Sequence, residues 1–110
     1  MASEVLPLVN AVRAKHGKPP LARDANLEAY AGSWAMTMAG MDALVHSSLG
    51  KNLSGYREYG QCIAQGQPTA AEAVKGWENH PPHFKIMVGD FDIAGAGFSR
   101  GYWCLDVAKV

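Results

Sequence analysis

The chain of 110 residues is a typical length for one domain and too short for two, so we expect a single core formed by residues 1–110. Hydrophobic residues make up 48% of the composition and charged residues 18%, which suits a packed globular domain and excludes a disordered chain or a coiled coil. The 10 basic residues cancel the 10 acidic ones, so no net field favours nucleic acid, and no apolar run approaches the roughly 20 residues of a membrane span.

Two helices are predicted in the first part of the chain. Apolar residues recur at helical spacing over residues 5–12, and the stretch KHGKPP then ends the helix. Asp24 is a suitable N-cap for a second, longer helix, whose apolar residues keep the i, i+3, i+4, i+7 pattern over residues 27–41. We interpret the methionine and aromatic residues of this helix as core, and His16 as a structural residue at the C-terminal end of the first helix.

The rest of the chain combines one further helix with strands. Residues 46–60 are rich in glycine and serine and have no period, which predicts an ordered surface loop. QCIAQG is a candidate strand, TAAE has the capping-box spacing that begins a helix over residues 69–79, and two prolines prevent its continuation. IAGAGFSRGYWCLDV is typical of a hairpin that turns at residues 99–101. Together these elements predict an α+β fold, a layered α-β-α sandwich with a small antiparallel sheet between helices.

Several motifs in the same order resemble the CAP superfamily, the group of cysteine-rich secretory, antigen 5 and pathogenesis-related proteins that is also called SCP-like. The stretch LVNAVRAKHGKPPLARDANLEAYAGSWAMTMA is similar to the opening of bacterial members, and His46 and Ser47 resemble the His-Ser pair that follows it. GQCIAQG resembles Gly-Glu-Asn-Ile-Ala-x-Gly, and the spacing of Trp77, Pro81 and His83 is similar to Trp-x-x-Ser-Pro-Gly-His. The opening motif is carried by Asn10, Arg13, Gly17, Pro20 and Leu21.

The resemblance implies an α-β-α sandwich with a surface recess, which many members line with two histidines and two acidic residues and in which some hold a divalent metal such as zinc. His46 and His83 match the two histidines and are therefore the candidate metal ligands. Gln61 stands where the first acid is expected, and His80 stands where larger members have the second. The expected recess consists of His46, Gln61, His80 and His83.

Three imidazoles could bind zinc and leave a fourth coordination position open for a water molecule. Two prolines separate His80 from His83, however, so helical spacing does not place these side chains together, and His80 could simply be the last exposed residue of the preceding helix. Gln61 can form a hydrogen bond with a histidine but has no charge, which weakens every hydrolytic interpretation. Glu78 is interpreted as a solvated helix residue.

Cys62 and Cys104 both fall in candidate strands of one small sheet. A disulfide between them is the favoured interpretation for an exported protein, and two inert buried thiols are the other option. A catalytic thiol is disfavoured. Ser47 and Ser48 are expected to form cap or loop hydrogen bonds, because no nucleophile-elbow pattern surrounds them.

Three functions remain open at this level. The favoured hypothesis is a secreted or cell-envelope module, its signal peptide removed, that binds a small molecule, a lipid or an envelope protein without catalysis. The alternative is a divalent-metal-dependent hydrolase of the protease or esterase type that uses His46 and His83. The third is a structural adhesion domain whose recess is only an inherited polar seam.

Overall fold

A four-stranded sheet lies between two layers of helices in the computed structural model, which describes residues 2–110. The elements are α1 (Val5–Lys15), β1 (Ala22–Arg23), α2 (Ala25–Met41), α3 (Leu49–Asn52), β2 (Glu58–Gln65), α4 (Ala70–Glu78), α5 (Pro81–Met87), β3 (Ile93–Ser99) and β4 (Tyr102–Lys109). The strands lie in the order β1-β3-β4-β2, and all pairs are antiparallel except β1 with β3. The predicted α-β-α architecture is therefore confirmed, with one short parallel strand added at the edge.

The two predicted helix caps are present. The Asp24 carboxylate accepts a hydrogen bond from the Leu27 backbone N–H at 2.9 Å, and α2 begins directly after Asp24. Thr69 Oγ1 accepts from the Glu72 N–H at 3.2 Å, and α4 follows. Each cap satisfies one of the backbone donors that have no partner within the helix, so both starts follow from local sequence.

The proline pair does more than end a helix. α4 ends at Glu78, and Pro81 and Pro82 occupy the first two positions of α5, where a missing N–H costs nothing. His80 is the N-cap residue of α5 and not the last residue of α4, so that interpretation of His80 was wrong. The sequence analysis missed α5 because it treated the prolines only as a stop.

The loop and the hairpin largely follow their predictions. Residues 46–57 form a surface loop that contains the single turn α3, and β2 begins at Glu58, so the last three residues of the predicted loop belong to the strand. The hairpin between β3 and β4 turns at Arg100 and Gly101, which both adopt positive φ angles of 47° and 86°. Two consecutive residues with positive φ form the kind of turn that matches the twist of an antiparallel hairpin.

The two faces of the sheet bury different sets of side chains, because successive residues of a strand point to opposite sides. One face packs against α1, α4 and α5, and its core includes Trp77 and Trp103. The other packs against α2, where Ala31, Ala35 and Met38 meet the sheet.

This alternation contradicts the predicted disulfide. Cys62 pairs in register with Leu105, and Cys104 pairs with Ile63, so the two cysteines are offset by one residue on adjacent strands. Cys62 therefore belongs to the face covered by α1 and α4, whereas Cys104 belongs to the face covered by α2. Both are free, buried thiols. Membership of the same sheet was not sufficient for pairing, because a disulfide also requires that the two Cβ atoms point toward each other.

A buried arginine fixes the end of α5. The Arg13 guanidinium donates hydrogen bonds to the carbonyl oxygens of Pro19, Met87 and Gly89 at 2.8–2.9 Å. Burial lowers the pKa of Arg13, and the nearby carboxylates of Asp90 and Asp92 oppose this change. Arg13 thus connects α1 to the segment that follows α5, the helix whose first turn carries His83.

Candidate functional site

The four predicted recess residues come from three segments that border β2, an edge strand of the sheet. Gln61 lies on β2 itself, and His46 lies in the loop after α2. His80 and His83 come from the junction of α4 and α5. Gln61 is buried and His83 is half-buried, whereas His46 and His80 are exposed.

The Gln61 side chain forms four hydrogen bonds. Its Oε1 accepts from the Ser47 backbone N–H at 3.0 Å and lies 2.9 Å from Nδ1 of His46. Its Nε2 donates to Ser47 Oγ at 2.9 Å and to Asp106 Oδ1 at 2.8 Å. An amide side chain has two donors and two acceptor positions, so Gln61 uses its full capacity. The expected hydrogen bond between Gln61 and a histidine is present, and Ser47 has the expected loop role.

The contact with Gln61 defines which nitrogen of His46 carries a proton. Because Gln61 Oε1 can only accept, Nδ1 of His46 must be the donor in this 2.9 Å contact. In the neutral ring Nε2 is then an unprotonated nitrogen, and it lies on the side of the imidazole that faces away from Gln61. The neutral form of His46 can therefore accept one hydrogen bond at Nε2.

Asp106 is a site residue that the sequence analysis missed. It lies on β4 opposite Gln61 and is fully buried. Its Oδ1 accepts from Gln61 and lies 3.5 Å from the Cys104 thiol, while Oδ2 has no hydrogen-bond partner within residues 2–110. Burial raises the pKa of Asp106 to about 6, although hydrogen bonds from Gln61 and Cys104 and the charge of His46 partly oppose this rise. The available signal was one acid in the otherwise apolar stretch YWCLDVA.

His80 and His83 lie side by side despite the prolines between them. Their Nδ1 atoms are 3.0 Å apart and their ring centroids 4.7 Å apart. At this distance one Nδ1 must donate and the other must accept, so the two facing nitrogens share a single proton. Burial lowers the pKa of His83, and the neighbouring charges of His80 and then His46 lower it further.

The donor set fits a divalent metal only in part. Tetrahedral zinc with Zn–N distances of about 2.0–2.1 Å has ligand nitrogens roughly 3.3 Å apart, close to the 3.0 Å separation of the His80 and His83 Nδ1 atoms. Catalytic zinc sites use three protein ligands. Over the described range 2–110, no group of three or more His, Cys, Asp or Glu side chains is arranged to hold a metal ion.

Two cavities open beside the recess residues. The first has a volume of about 400 Å³ and is bordered by His46, Gln61 and the start of α3, including Ser48 and Lys51. The second, of about 250 Å³, lies along the outer part of β2 and is bordered by His80, His83 and Trp77. The histidines thus stand at the edges of two separate concave surfaces.

The remaining candidate groups do not contribute reactive chemistry. Burial, together with the charge of Asp106, raises the pKa of the Cys62 thiol to about 12, so this residue is not a thiolate nucleophile at neutral pH. Glu78 pairs with Lys15 at 3.0 Å and forms no part of the recess. Ser48 is the N-cap residue of α3, although its side chain forms no cap hydrogen bond.

A mostly antiparallel sheet thus lies between two layers of helices, with the pair His80 and His83 beside its edge strand β2. The sequence profile of the CAP family, the cysteine-rich secretory protein family, matches residues 6–105. The chain belongs to this family.

Individual relatives agree with this assignment. The uncharacterized protein YkwD of Bacillus subtilis is 32% identical over 105 residues, which cover 86% of this chain and 41% of YkwD. The chain thus spans about two fifths of the length of that relative. No helix within residues 2–110 is long and apolar enough to cross a membrane.

Solved structures show the same fold. An extracellular protein of Bacillus anthracis that contains an SCP domain superposes with a TM-score of 0.92 at 22% identity, covering 99% of this chain and 40% of that one. An outer surface protein of Borrelia burgdorferi gives a TM-score of 0.84 at 18% identity, covering 97% of this chain and 90% of that one. A cysteine-rich secretory protein of Staphylococcus aureus also gives 0.84, at 19% identity, covering 99% and 38%.

Proposed function

We propose that this domain is a non-enzymatic binding module that acts outside the cell or in the cell envelope and holds a small ligand in the recess beside His46. The observation that carries the proposal is the complete hydrogen bonding of Gln61, which gives the recess a rigid and neutral polar wall. A general base needs a positioned, charged partner, but His46 contacts an amide and His83 contacts another histidine. The extracellular and outer-surface descriptions of the structural neighbours support the location.

The cavity beside His46 suits a small polar molecule. Its volume of about 400 Å³ lies at the lower end of the range for ligand sites, and its border combines His46, two serines and Lys51 with apolar surface. Such a border provides a few fixed polar groups on an otherwise apolar wall, the usual composition of a ligand site. Lipids and envelope proteins are the other two classes of ligand that the proposal includes.

A thermal-shift screen tests the binding proposal. Sugars, polyols, amino acids and short-chain fatty acids would be added separately to the wild type, to Gln61→Leu and to Glu78→Gln. We expect at least one class to raise the melting temperature of the wild type and of Glu78→Gln, which lies outside the recess, but not that of Gln61→Leu. Equal shifts in all three proteins would place the site elsewhere. If no class raises the melting temperature, the screen contradicts small-ligand binding in the recess and favours the structural adhesion or assembly role.

A second candidate is divalent-metal binding by His80 and His83, which the 3.0 Å separation of their Nδ1 atoms favours. Zinc would be titrated by calorimetry into metal-free wild type and into His46→Ala, His80→Ala, His83→Ala and His16→Ala. We expect heat of binding in the wild type that is lost in His80→Ala and His83→Ala and kept in His16→Ala. No heat in the wild type would contradict metal binding. Loss in His46→Ala as well, together with zinc-dependent turnover of an ester or peptide, would favour the hydrolase alternative over a binding module.

A further inference from the structure

We propose that Asp106 is a positioning residue for the recess. Through Gln61, it holds His46 in the tautomer that carries its proton on Nδ1 and presents Nε2 as an acceptor. The consequence for ligands rests on the proposed binding function and deepens it, because it names the chemistry that the recess selects. His46 accepts a hydrogen bond from a neutral donor group, such as a hydroxyl or an amide N–H.

The Gln61 amide can be placed in two ways. Rotation of the Gln61 amide by 180° exchanges Oε1 and Nε2, and the choice between them depends on the neighbours. The Ser47 backbone N–H can only donate, so it requires Oε1 on its side, at 3.0 Å. The Asp106 Oδ1 atom accepts, so it requires Nε2 on the opposite side, at 2.8 Å. Both neighbours therefore require the same orientation of the Gln61 amide.

The tautomer of His46 follows from that orientation of the Gln61 amide. With Oε1 directed toward the loop, the Nδ1 atom at 2.9 Å meets an acceptor and must carry the hydrogen. If the amide were reversed, Nδ1 would meet a donor and Nε2 would take the hydrogen instead. The tautomer of an exposed imidazole is therefore set jointly by the Ser47 backbone N–H and by a carboxyl group that is buried on the neighbouring strand.

The hydrogen bonding of Asp106 fits a positioning role. The side chain is fully buried, which is unfavourable for a carboxyl group, and its Oδ2 has no partner among residues 2–110. Its strong hydrogen bond is the one from Gln61, and the Cys104 thiol at 3.5 Å is a weak donor. When Asp106 binds a proton, the free Oδ2 takes it and Oδ1 continues to accept from Gln61. The orientation of Gln61 therefore persists in both protonation states of Asp106.

The consequence for ligands concerns the neutral form of His46. An unprotonated Nε2 accepts from hydroxyl or amide N–H groups and repels the lone pairs of a carboxylate or phosphate. The adjoining cavity, which His46 borders together with Ser47 and Ser48, is large enough for such a molecule at about 400 Å³. The group that contacts Nε2 is thus expected to be a hydroxyl or an amide N–H rather than a carboxylate or phosphate, whereas Lys51 on the same border suits an anionic group elsewhere in the cavity.

The test is a measurement of the His46 tautomer by ¹⁵N NMR of histidine-labelled protein at a pH where the ring is neutral. In the wild type, Nδ1 should be the protonated nitrogen. We expect the ratio of the Nδ1–H to the Nε2–H form to fall by about threefold to tenfold in Gln61→Leu, which removes the acceptor of the hydrogen bond, and by a smaller factor, roughly threefold, in Asp106→Leu, where the Ser47 N–H still orients the Gln61 amide. Asp106→Asn, whose side-chain oxygen can still accept from Gln61, should keep the wild-type ratio. Cys104→Ala is the matched control and should keep it too.

The proposal is overturned if the wild type carries its proton on Nε2, or if folded Asp106→Leu keeps the wild-type ratio, as a purely structural role would predict. Should Asp106→Leu not fold, the scalar coupling across the Gln61 Nε2–H to Asp106 bond in the wild type replaces it, and its absence is equally contradictory. No ligand is used in these measurements, so a failed ligand screen and a failed positioning role are distinguishable. Glycerol and acetate then test selectivity: glycerol should shift the His46 Nε2 signal, and an equal response to acetate would contradict the ligand class.

Discussion

The two faces of the sheet are packed in different ways. On the face covered by α1, α4 and α5, large side chains such as Trp77 and Trp103 fill the space between helix and strand. On the face covered by α2, Gly95 and Gly97 leave no room for a side chain, and a Cβ atom added at Gly97 would lie 2.4 Å from the backbone nitrogen of Gly32. One face is therefore separated from its helices by side chains, and the other touches its helix directly.

The close contact explains why an acid is buried at the recess. Asp106 lies in register between Gly95 on β3 and Gln61 on β2, and a Cβ atom at Gly95 would lie 2.1 Å from the Glu28 backbone nitrogen in α2. Because α2 approaches the sheet so closely here, it excludes water from Asp106, and burial is the main cause of its raised pKa. Tight packing on this face thus determines the electrostatics behind His46.

The largest effect is expected from filling the glycine contact. Gly97→Ala places a Cβ against backbone atoms of Ala31 and Gly32, which cannot rotate away, so α2 must shift. We expect a loss of about 3 kcal/mol or more in the free energy of unfolding, measured by urea denaturation. Gly76→Ala in α4 is the matched control, since only the Gln67 amide nitrogen lies within reach, at 4.0 Å. It should stabilise by about 0.5–1 kcal/mol, the usual gain for glycine to alanine in a helix. Equal effects of the two changes would contradict the conclusion that only the face covered by α2 touches its helix directly.

A smaller effect, which depends on pH, is expected from Asp106→Asn. The folded protein holds the pKa of Asp106 at about 6, above the 3.8 of an unfolded aspartate, so the folded state binds this proton more tightly. The contribution of Asp106 to stability is therefore complete below about pH 4 and is lost as the pH rises through 6. Two pKa units correspond to about 3 kcal/mol at most, so the variant should gain up to that amount relative to the wild type between pH 4 and pH 8.

The contributions of the other titrating groups to stability cancel when the unfolding free energies of the wild type and of Asp106→Asn are compared at each pH. Asp90→Asn provides a control of opposite sign, because Lys109 holds the pKa of Asp90 below its usual value. The stability from Asp90 is present above the unfolded pKa of 3.8 and is lost on acidification below it, so this variant should lose stability relative to the wild type as the pH rises to about 5 and then show a nearly constant difference up to pH 8. A difference between wild type and Asp106→Asn that stays constant from pH 4 to 8 would show that Asp106 is not desolvated.

The smallest effect is expected from a change of redox conditions. Cys62 and Cys104 point to opposite faces, and burial raises the pKa of both thiols, to about 12 for Cys62 and well above the usual value for Cys104. Reducing agent should therefore leave the melting temperature unchanged. A thiol reagent should react with neither cysteine in the native protein and with both after denaturation. A lower melting temperature in reductant would instead support the disulfide that the sequence analysis favoured.

Local signals in the sequence were sufficient for most of the fold. The caps at Asp24 and Thr69 and the hairpin turn at residues 99–101 each depend on atoms a few residues apart, and all three are present in the structure. The missed helix α5 also had a local signal, since two prolines after a histidine suit the first turn of a helix as well as they suit a stop.

The site could be predicted less completely from the sequence, because its contacts join residues that are distant in the chain. Asp106 meets Gln61 across 45 positions, and nothing in the sequence around either residue indicates the other. The same holds for the two cysteines, whose faces depend on the register of β2 against β4. Shifting that register by one residue would move the side chains of one strand to the other face and place both cysteines on the same side of the sheet.

The sequence by itself determined the α-β-α class, the helix starts and the family resemblance, since helical period, caps and motif order are local properties that tertiary contacts reinforce. Only the tertiary structure decided that His80 lies against His83, that the thiols are apart, and that a buried aspartate stands behind Gln61. Those arrangements depend on how closely each helix approaches the sheet and on which face each strand residue occupies. Both are set by the packing of the whole chain, through glycine contacts and strand register, rather than by any short segment.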